Sequence, residues 1–432
     1  MKYYSTNKQS AFVNFRDATI QGQAPDKGLY FPEAIPAWTP EWMSSWDKLS
    51  REEIAFHVIK PYTEETIPED VLMRIVTETV NFPQPLVKLD ENIFALELFH
   101  GPTLAFKDTG ARFMSRCLGY FLRHESKKVT VLVATSGDTG GAVADGFFGV
   151  EGVEVVILYP SGKVSPVQEQ QLTTHGKNIQ ALEVQGNFDD CQAMVKQAFQ
   201  DEDIRAKRML SSANSINVAR WLPQQFYYCF AWQQWPDKSN PPVVSVPSGN
   251  FGNICAGMMA MQSGLPLKHF IAACNVNAPV TQYLKTGTLE PVQVIPTLSN
   301  AMDVGIPSNF VRILEIFNHE FPLLSSRLSS SSVSDAITLQ TIKDIYKRYQ
   351  YTADPHGAVG FRVLEDYLDS HAGNKGIFLE TAHPVKFPSA VEQGTGLAVP
   401  VPVSVQSIMD KKKSSIIMAP VYKDLKEYLL NY

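Results

Sequence analysis

Apolar positions along the chain follow two successive rhythms. From about residue 17 to residue 82, helical spacing mixes with turn-forming residues, as in DKGLYFPEAIPAW followed by REEIAFHVIKPYTEETIPEDVLMRIVTETV. The pattern predicts a helix-rich N-terminal domain over residues 1–82. Pro83 and Pro85 then punctuate the passage into short apolar strands alternating with longer amphipathic stretches. That alternation is the mark of an α/β architecture with mainly parallel sheets, and it occupies residues 83–400. Residues 401–432 read as a tail, a solvated link carrying Lys411, Lys412 and Lys413 and then a closing helix through DLKEYLL.

Three strand-to-helix junctions carry the candidate chemistry. The first is FALELF (94–99), the loop HGPTLAF, and a helix from Lys107 in which Phe113, Cys117 and Phe121 recur every four residues. The second is VTVLVA (129–134) running into Thr135, Ser136, Gly137, Asp138 and Thr139. The third is the strand 243–246 running into PSGNFGN and the helix ICAGMMAMQ. A further short apolar strand, GIFLE (376–380), ends at Thr381, where a hydroxyl can face a ligand from the carboxyl edge of a sheet. His383, before a proline, reads as a turn or core residue. The serine-rich run SSRLSSSSVSDA (325–336) reads as a loop ending in a helix cap, because Ile337, Ile342 and Ile345 follow with helical spacing. No internal period of solenoid or propeller length occurs.

Composition narrows the class. The chain has 432 residues, 44% of them hydrophobic, enough for a two-domain globular protein. With 38 Lys+Arg against 44 Asp+Glu its formal charge is −6, which argues against nucleic acid and anionic membranes as partners. An anionic ligand therefore needs a local site. The N-terminus lacks a secretory pattern and the longest apolar runs, such as 153–159, are far shorter than a membrane span, so a soluble, cytoplasmic protein is expected. Five cysteines without C-x-x-C spacing read as buried thiols, and the nine histidines form no ligand set, so no metal is expected.

SGNFGN opens a helix directly after a strand, where unpaired N–H groups and the positive end of the helix dipole make an anion site. It is neither a Walker loop nor a G-x-G-x-x-G fingerprint, and taken alone a tight turn with a polar cap is the more ordinary reading. The Ser136 to Thr139 loop has the same setting and suits a second anion such as a carboxylate, or a plain helix cap. Lys107 lies in an apolar stretch with no acidic neighbour before Asp108. A desolvated lysine can become an amine nucleophile, although a lysine at a helix start is usually a solvated group.

The blocks ELFHGPTLAFKDTGARF, ATSGDTGGAV, ILYPSGKVSPVQEQQ, SANSINVARWLPQ, VPSGNFGN, LSNAMDVGIPSNF, ADPHGAVG and ETAHPVKF resemble the threonine synthase family, and GLYFPE resembles that family's N-terminal domain. The resemblance implies a pyridoxal-phosphate enzyme of the tryptophan synthase β-like fold (fold type II), with two open twisted sheet domains and the cofactor in the cleft between them. It implies that Lys107 carries pyridoxal 5'-phosphate as a Schiff base and moves protons. It implies that Gly249, Asn250, Phe251, Gly252 and Asn253 hold the cofactor's phosphate and that Thr381 meets the pyridine nitrogen. Ser136, Gly137, Asp138 and Thr139 would bind the substrate's carboxylate, with Asp138 also near the cofactor's ring hydroxyl. Wider fold relatives often carry Asn at that position. The implied reaction converts O-phospho-L-homoserine and water to L-threonine and phosphate, and the resemblance further implies that the leaving phosphate itself acts as a base. For the substrate phosphate the candidates are Lys163, Arg220, Asn214 and Ser215, with Arg220 equally able to brace its loop through a carboxylate. A related lyase eliminating from serine or a phosphorylated amino-alcohol, and a non-catalytic phosphometabolite-binding protein, stay open, as does monomer or homodimer.

Overall fold

The computed structural model describes residues 1–125 and 128–431. Thirteen strands occur among them: β1 (Tyr3–Ser5), β2 (Tyr30–Pro32), β3 (Leu86–Lys88), β4 (Ile93–Glu97), β5 (Val129–Ala134), β6 (Val153–Pro160), β7 (Ile179–Val184), β8 (Met209–Ser211), β9 (Val243–Pro247), β10 (His269–Cys274), β11 (Leu328–Ser332), β12 (Gly376–Glu380) and β13 (Ile416–Met418). They build two larger sheets. One has the order β11-β10-β9-β12-β4-β3, parallel except for the β3–β4 pair. The other, β13-β7-β6-β5-β8, is parallel throughout. Helices cover these sheets, which is why β5, β9 and β12 are buried along their whole length and read as continuous apolar runs rather than alternating ones.

Two sequence expectations change. The serine run is not a loop: 328–332 is the edge strand β11, paired residue for residue with β10 from Phe270 to Cys274. Its neighbour supplies the apolar surface, and small hydroxyl side chains suit an edge, with Ser330 Oγ donating back to the carbonyl of Ala272 at 2.9 Å. The link in the tail is likewise not wholly solvated, since β13 extends the second sheet beside β7. The closing helix Tyr422–Asn431 follows and buries Leu425 and Leu429.

The N-terminal segment adds the antiparallel ribbon β1–β2 and the helices Arg51–Thr63 and Glu69–Thr79, the first started by a capping box between Ser50 and Glu53. One apolar cluster runs from Tyr3 and Phe15 through Ile59 to Phe113 and Trp221. The N-terminal segment thus shares its core with the helix Lys107–Leu122, and Phe15 packs edge-on to Phe121 with ring centroids 6.1 Å apart. All five cysteines are buried and free. Among the described residues no helix is long and apolar enough to cross a membrane.

Candidate active site

The three junctions singled out in the sequence and the end of β12 at Thr381 meet at the carboxyl ends of their strands, around a cavity of about 520 Å³. After β4 the chain turns through 100–106, and the turn is fixed by Asp108. Its buried carboxylate accepts from the backbone N–H of Thr103 at 2.9 Å and from the Thr103 hydroxyl. Burial pushes this carboxyl up to about 6. The backbone N–H of Phe106 donates to the carbonyl of Thr381 at 2.9 Å, so the lysine loop is stitched to the end of β12. Lys107 and Thr381 consequently share one wall. The Lys107 amine lies below its ordinary pKa: burial is the main cause, Asp138 opposes it, and Lys386 and Arg220 add to it.

Beyond β5, the hydroxyl of Thr135 accepts from the N–H groups of Gly137 at 3.0 Å and Gly140 at 2.9 Å, curling the loop into the helix Asp138–Phe147. Gly137 sits at φ 136°, and a Cβ there would meet the side-chain amide of Gln168 at 2.4 Å, so only glycine fits. Ser136 and Thr139 line the cavity. Asp138 is 5% exposed. Its Oδ1 accepts from Lys386 at 2.8 Å and from Gln168 at 2.9 Å, while its Oδ2 lies 3.7 Å from Lys107 Nζ. Burial works against the ionised form, but Lys386 above all, with Lys107 and the Gln168 amide, overcomes it and holds this carboxyl well below the usual range.

After β9, Phe251 takes a left-handed φ of 61° and starts the helix Gly252–Gln262. Among the described residues, the backbone N–H groups of Asn250, Phe251, Gly252 and Asn253 have no acceptor within the protein, and they sit at the positive end of that helix. The Asn253 amide turns away and braces the strand end, donating to the carbonyl of Pro247 at 2.8 Å. At Gly249 a Cβ would come within 2.6 Å of the carbonyl oxygen of Ala301, so the cradle is closed by backbone on its far side.

Asn214, Ser215 and Arg220 line the cavity as well. Arg220 is 3% exposed; its Nη1 donates to the carbonyl of Ala213, and its Nε has no partner among the described residues. Its bracing contact is thus a carbonyl rather than a carboxylate. Burial lowers the guanidinium to about 10. Lys163 is exposed on the turn after β6 and is not part of the cavity wall. His383 caps the turn Pro384–Lys386, its side chain accepting from the N–H of Val385 at 3.1 Å, and packs on Phe99.

Two buried cations not expected from the sequence stand behind the lining of the site. Lys386 is buried and also donates to the carbonyl of Thr103 at 2.8 Å. Arg312 is wholly buried and donates to the carbonyls of Tyr30, Ser215 and Ile216, its guanidinium stacked 4.3 Å from the ring of Trp221. The available signal was weak in both cases, a cation embedded in apolar sequence: HPVKF and NFVRILE.

Residues 75–379 match the family described as "Pyridoxal-phosphate dependent enzyme", so the fold is that of this enzyme class. Residues 2–80 match the threonine synthase N terminus and residues 357–429 the threonine synthase C-terminal region. Threonine synthase of Haemophilus influenzae is 44% identical over 431 residues, covering 100% of both chains. The crystal structure of threonine synthase from Escherichia coli is 41% identical and superposes with a TM-score of 0.92 over 100% of both chains. A pyridoxal-phosphate-bound threonine synthase from Brucella melitensis is 36% identical with a TM-score of 0.93, over 100% of this chain and 99% of that one. The chain belongs to the threonine synthase family of pyridoxal-phosphate-dependent lyases.

Proposed function

We propose that the protein converts O-phospho-L-homoserine and water to L-threonine and phosphate, the last step of threonine biosynthesis, as a cytoplasmic enzyme without membrane or nucleic-acid partners. The observation that carries this reading is the convergence of a partly desolvated lysine with a cradle of free N–H groups across one cavity. These residues fit pyridoxal phosphate. Gly249 to Asn253 would hold its phosphate, because the cradle offers backbone donors and is closed where a Cβ would stand; Lys107 would hold it covalently through Nζ, and Thr381 would meet its ring nitrogen. A neutral hydroxyl at that place does not force the nitrogen to be protonated. When bound, the cofactor supplies an electron sink conjugated with the substrate's Cα.

The chain's own residues then divide the work. Ser136 and Thr139, which line the cavity, would present donors of the loop to the substrate's carboxylate. Asn214, Ser215 and Arg220 line the cavity and would meet its phosphate, with Arg220 the cation among them. Lys107 Nζ takes the Cα proton, and a second proton leaves Cβ as phosphate departs from Cγ. A proton is then delivered to Cγ, water adds its oxygen to Cβ, and Cα is reprotonated, which gives threonine and balances the atoms of the reaction.

The competing lyase reading is tested by a substrate panel. The protein should turn over O-phospho-L-homoserine with a kcat/KM at least roughly a thousandfold above serine, because a site built to bind a phosphate dianion loses its partner when that group is missing. Comparable turnover of serine would overturn the assignment. Gly249→Ala should weaken retention of pyridoxal phosphate about tenfold or more, read by equilibrium dialysis, because the new Cβ pushes the cradle off the Ala301 backbone while leaving the sheet intact.

A further inference from the structure

We propose that Lys386 is a positioning residue that engages the Asp138 carboxylate so that Asp138 cannot capture Lys107 as an ammonium, leaving the Lys107 amine available as a base. The inference rests on the reading of Lys107 as the proton-moving group, and it concerns how that group is kept competent.

The geometry is asymmetric. Asp138 has two oxygens and three suitors. Lys386 and Gln168 both donate to Oδ1, at 2.8 and 2.9 Å, whereas Lys107 stands 3.7 Å from Oδ2, outside hydrogen-bonding distance. Lys386 is held in place independently, since it also donates to the carbonyl of Thr103, in the loop that leads into Lys107. That loop, the helix start at Asp138 and the turn Pro384–Lys386 are therefore tied at one buried point. A lone buried carboxylate next to a lysine would settle as an ion pair with it, and the lysine would keep its proton. With a second cation seated on the carboxylate, the pair Asp138–Lys386 is already neutral, and Lys107 gains little from a charge of its own. The charged groups facing Lys107 are Asp138, Lys386 and Arg220. Asp108, its neighbour in the chain, is turned onto Thr103. Two cations against one carboxylate favour the neutral amine.

The test titrates Lys107 directly in the full-length chain freed of cofactor. Reductive methylation with formaldehyde and cyanoborohydride is followed at residue 107 by peptide mass spectrometry as a function of pH, and folding is checked by near-ultraviolet circular dichroism. Lys386→Met should move the midpoint of Lys107 labelling upward by about one pH unit or more, roughly a tenfold loss of reactive amine at any pH below the midpoint. Lys386→Arg, which keeps the charge, should restore it in large part. Adding Asp138→Asn to Lys386→Met should cancel the upward shift, because the effect runs through that carboxylate. Asp138→Asn alone should move the midpoint down, and this arm stands even if Lys386→Met does not fold. An unchanged or lowered midpoint in Lys386→Met, or a shift that survives removal of the Asp138 charge, would overturn the proposal. None of these readings involves substrate, so a failed synthase assignment and a failed Lys386 assignment are told apart.

Discussion

Lys107→Ala protein, folded and supplied with pyridoxal phosphate, should form threonine from O-phospho-L-homoserine at no more than roughly a thousandth of the parent rate. On the proposed reading the alanine removes both the amine that holds the cofactor and the group that moves the Cα proton. No neighbour can replace it, since Lys386 is committed to Asp138 and to the carbonyl of Thr103, and Arg220 keeps its proton. The fold should survive, because the Lys107 amine makes no hydrogen bond that anchors its loop; that loop is held by Asp108 and by the Phe106 to Thr381 backbone bond. Threonine release by coupled assay, together with loss of the cofactor–lysine adduct after borohydride reduction, checks both halves. Retained turnover would remove Lys107 from the mechanism.

Arg312→Leu should produce the largest loss of stability of any single change near the site, about 3–5 kcal/mol, read as a lower urea midpoint with an unchanged slope. Arg312 is a buried cation whose partners are carbonyl dipoles: Tyr30 from the N-terminal ribbon, Ser215 and Ile216 from the loop that lines the cavity, with the Asn309 side-chain oxygen at 2.7 Å. Burial pushes the guanidinium down to about 9. A leucine of similar volume leaves those acceptors buried and unpaired. Because Ser215 and Asn309 are also tied to each other, at 3.0 Å, the loop should loosen and KM for the phosphorylated substrate should rise more than kcat falls. Arg312→Lys should recover little, since a point charge cannot reach carbonyls on three segments at once.

How much of this was legible depended on whether a contact is local. The strands 129–134 and 376–380 are short, mostly apolar runs, and the structure has them at those bounds. The loop SGNFGN and the helix starting at Lys107 also lie where turn and period signals put them, because a strand, a glycine turn and a helix start are written within a few neighbouring residues. Lys386 and Arg312 were hidden for the opposite reason. Their partners lie far off in sequence, Thr103 for Lys386 and Tyr30 for Arg312. A cation among apolar residues then reads as a solvated side chain. Lys163 shows the opposite case: a candidate for the substrate phosphate in sequence, it stands exposed on the turn after β6, outside the cavity lining. The strand β11 was masked by composition, since serine has no strand periodicity of its own and pairs only because β10 offers an edge.

The most direct measurement is the fate of oxygen. The cofactor-loaded enzyme is given O-phospho-L-homoserine in water enriched in oxygen-18, and threonine and phosphate are analysed by mass spectrometry. Elimination at Cγ followed by addition of water at Cβ predicts equal amounts of the two products, one heavy oxygen in each threonine and none in the phosphate. Label in the phosphate with homoserine as co-product, or phosphate released with no labelled threonine, would contradict the account.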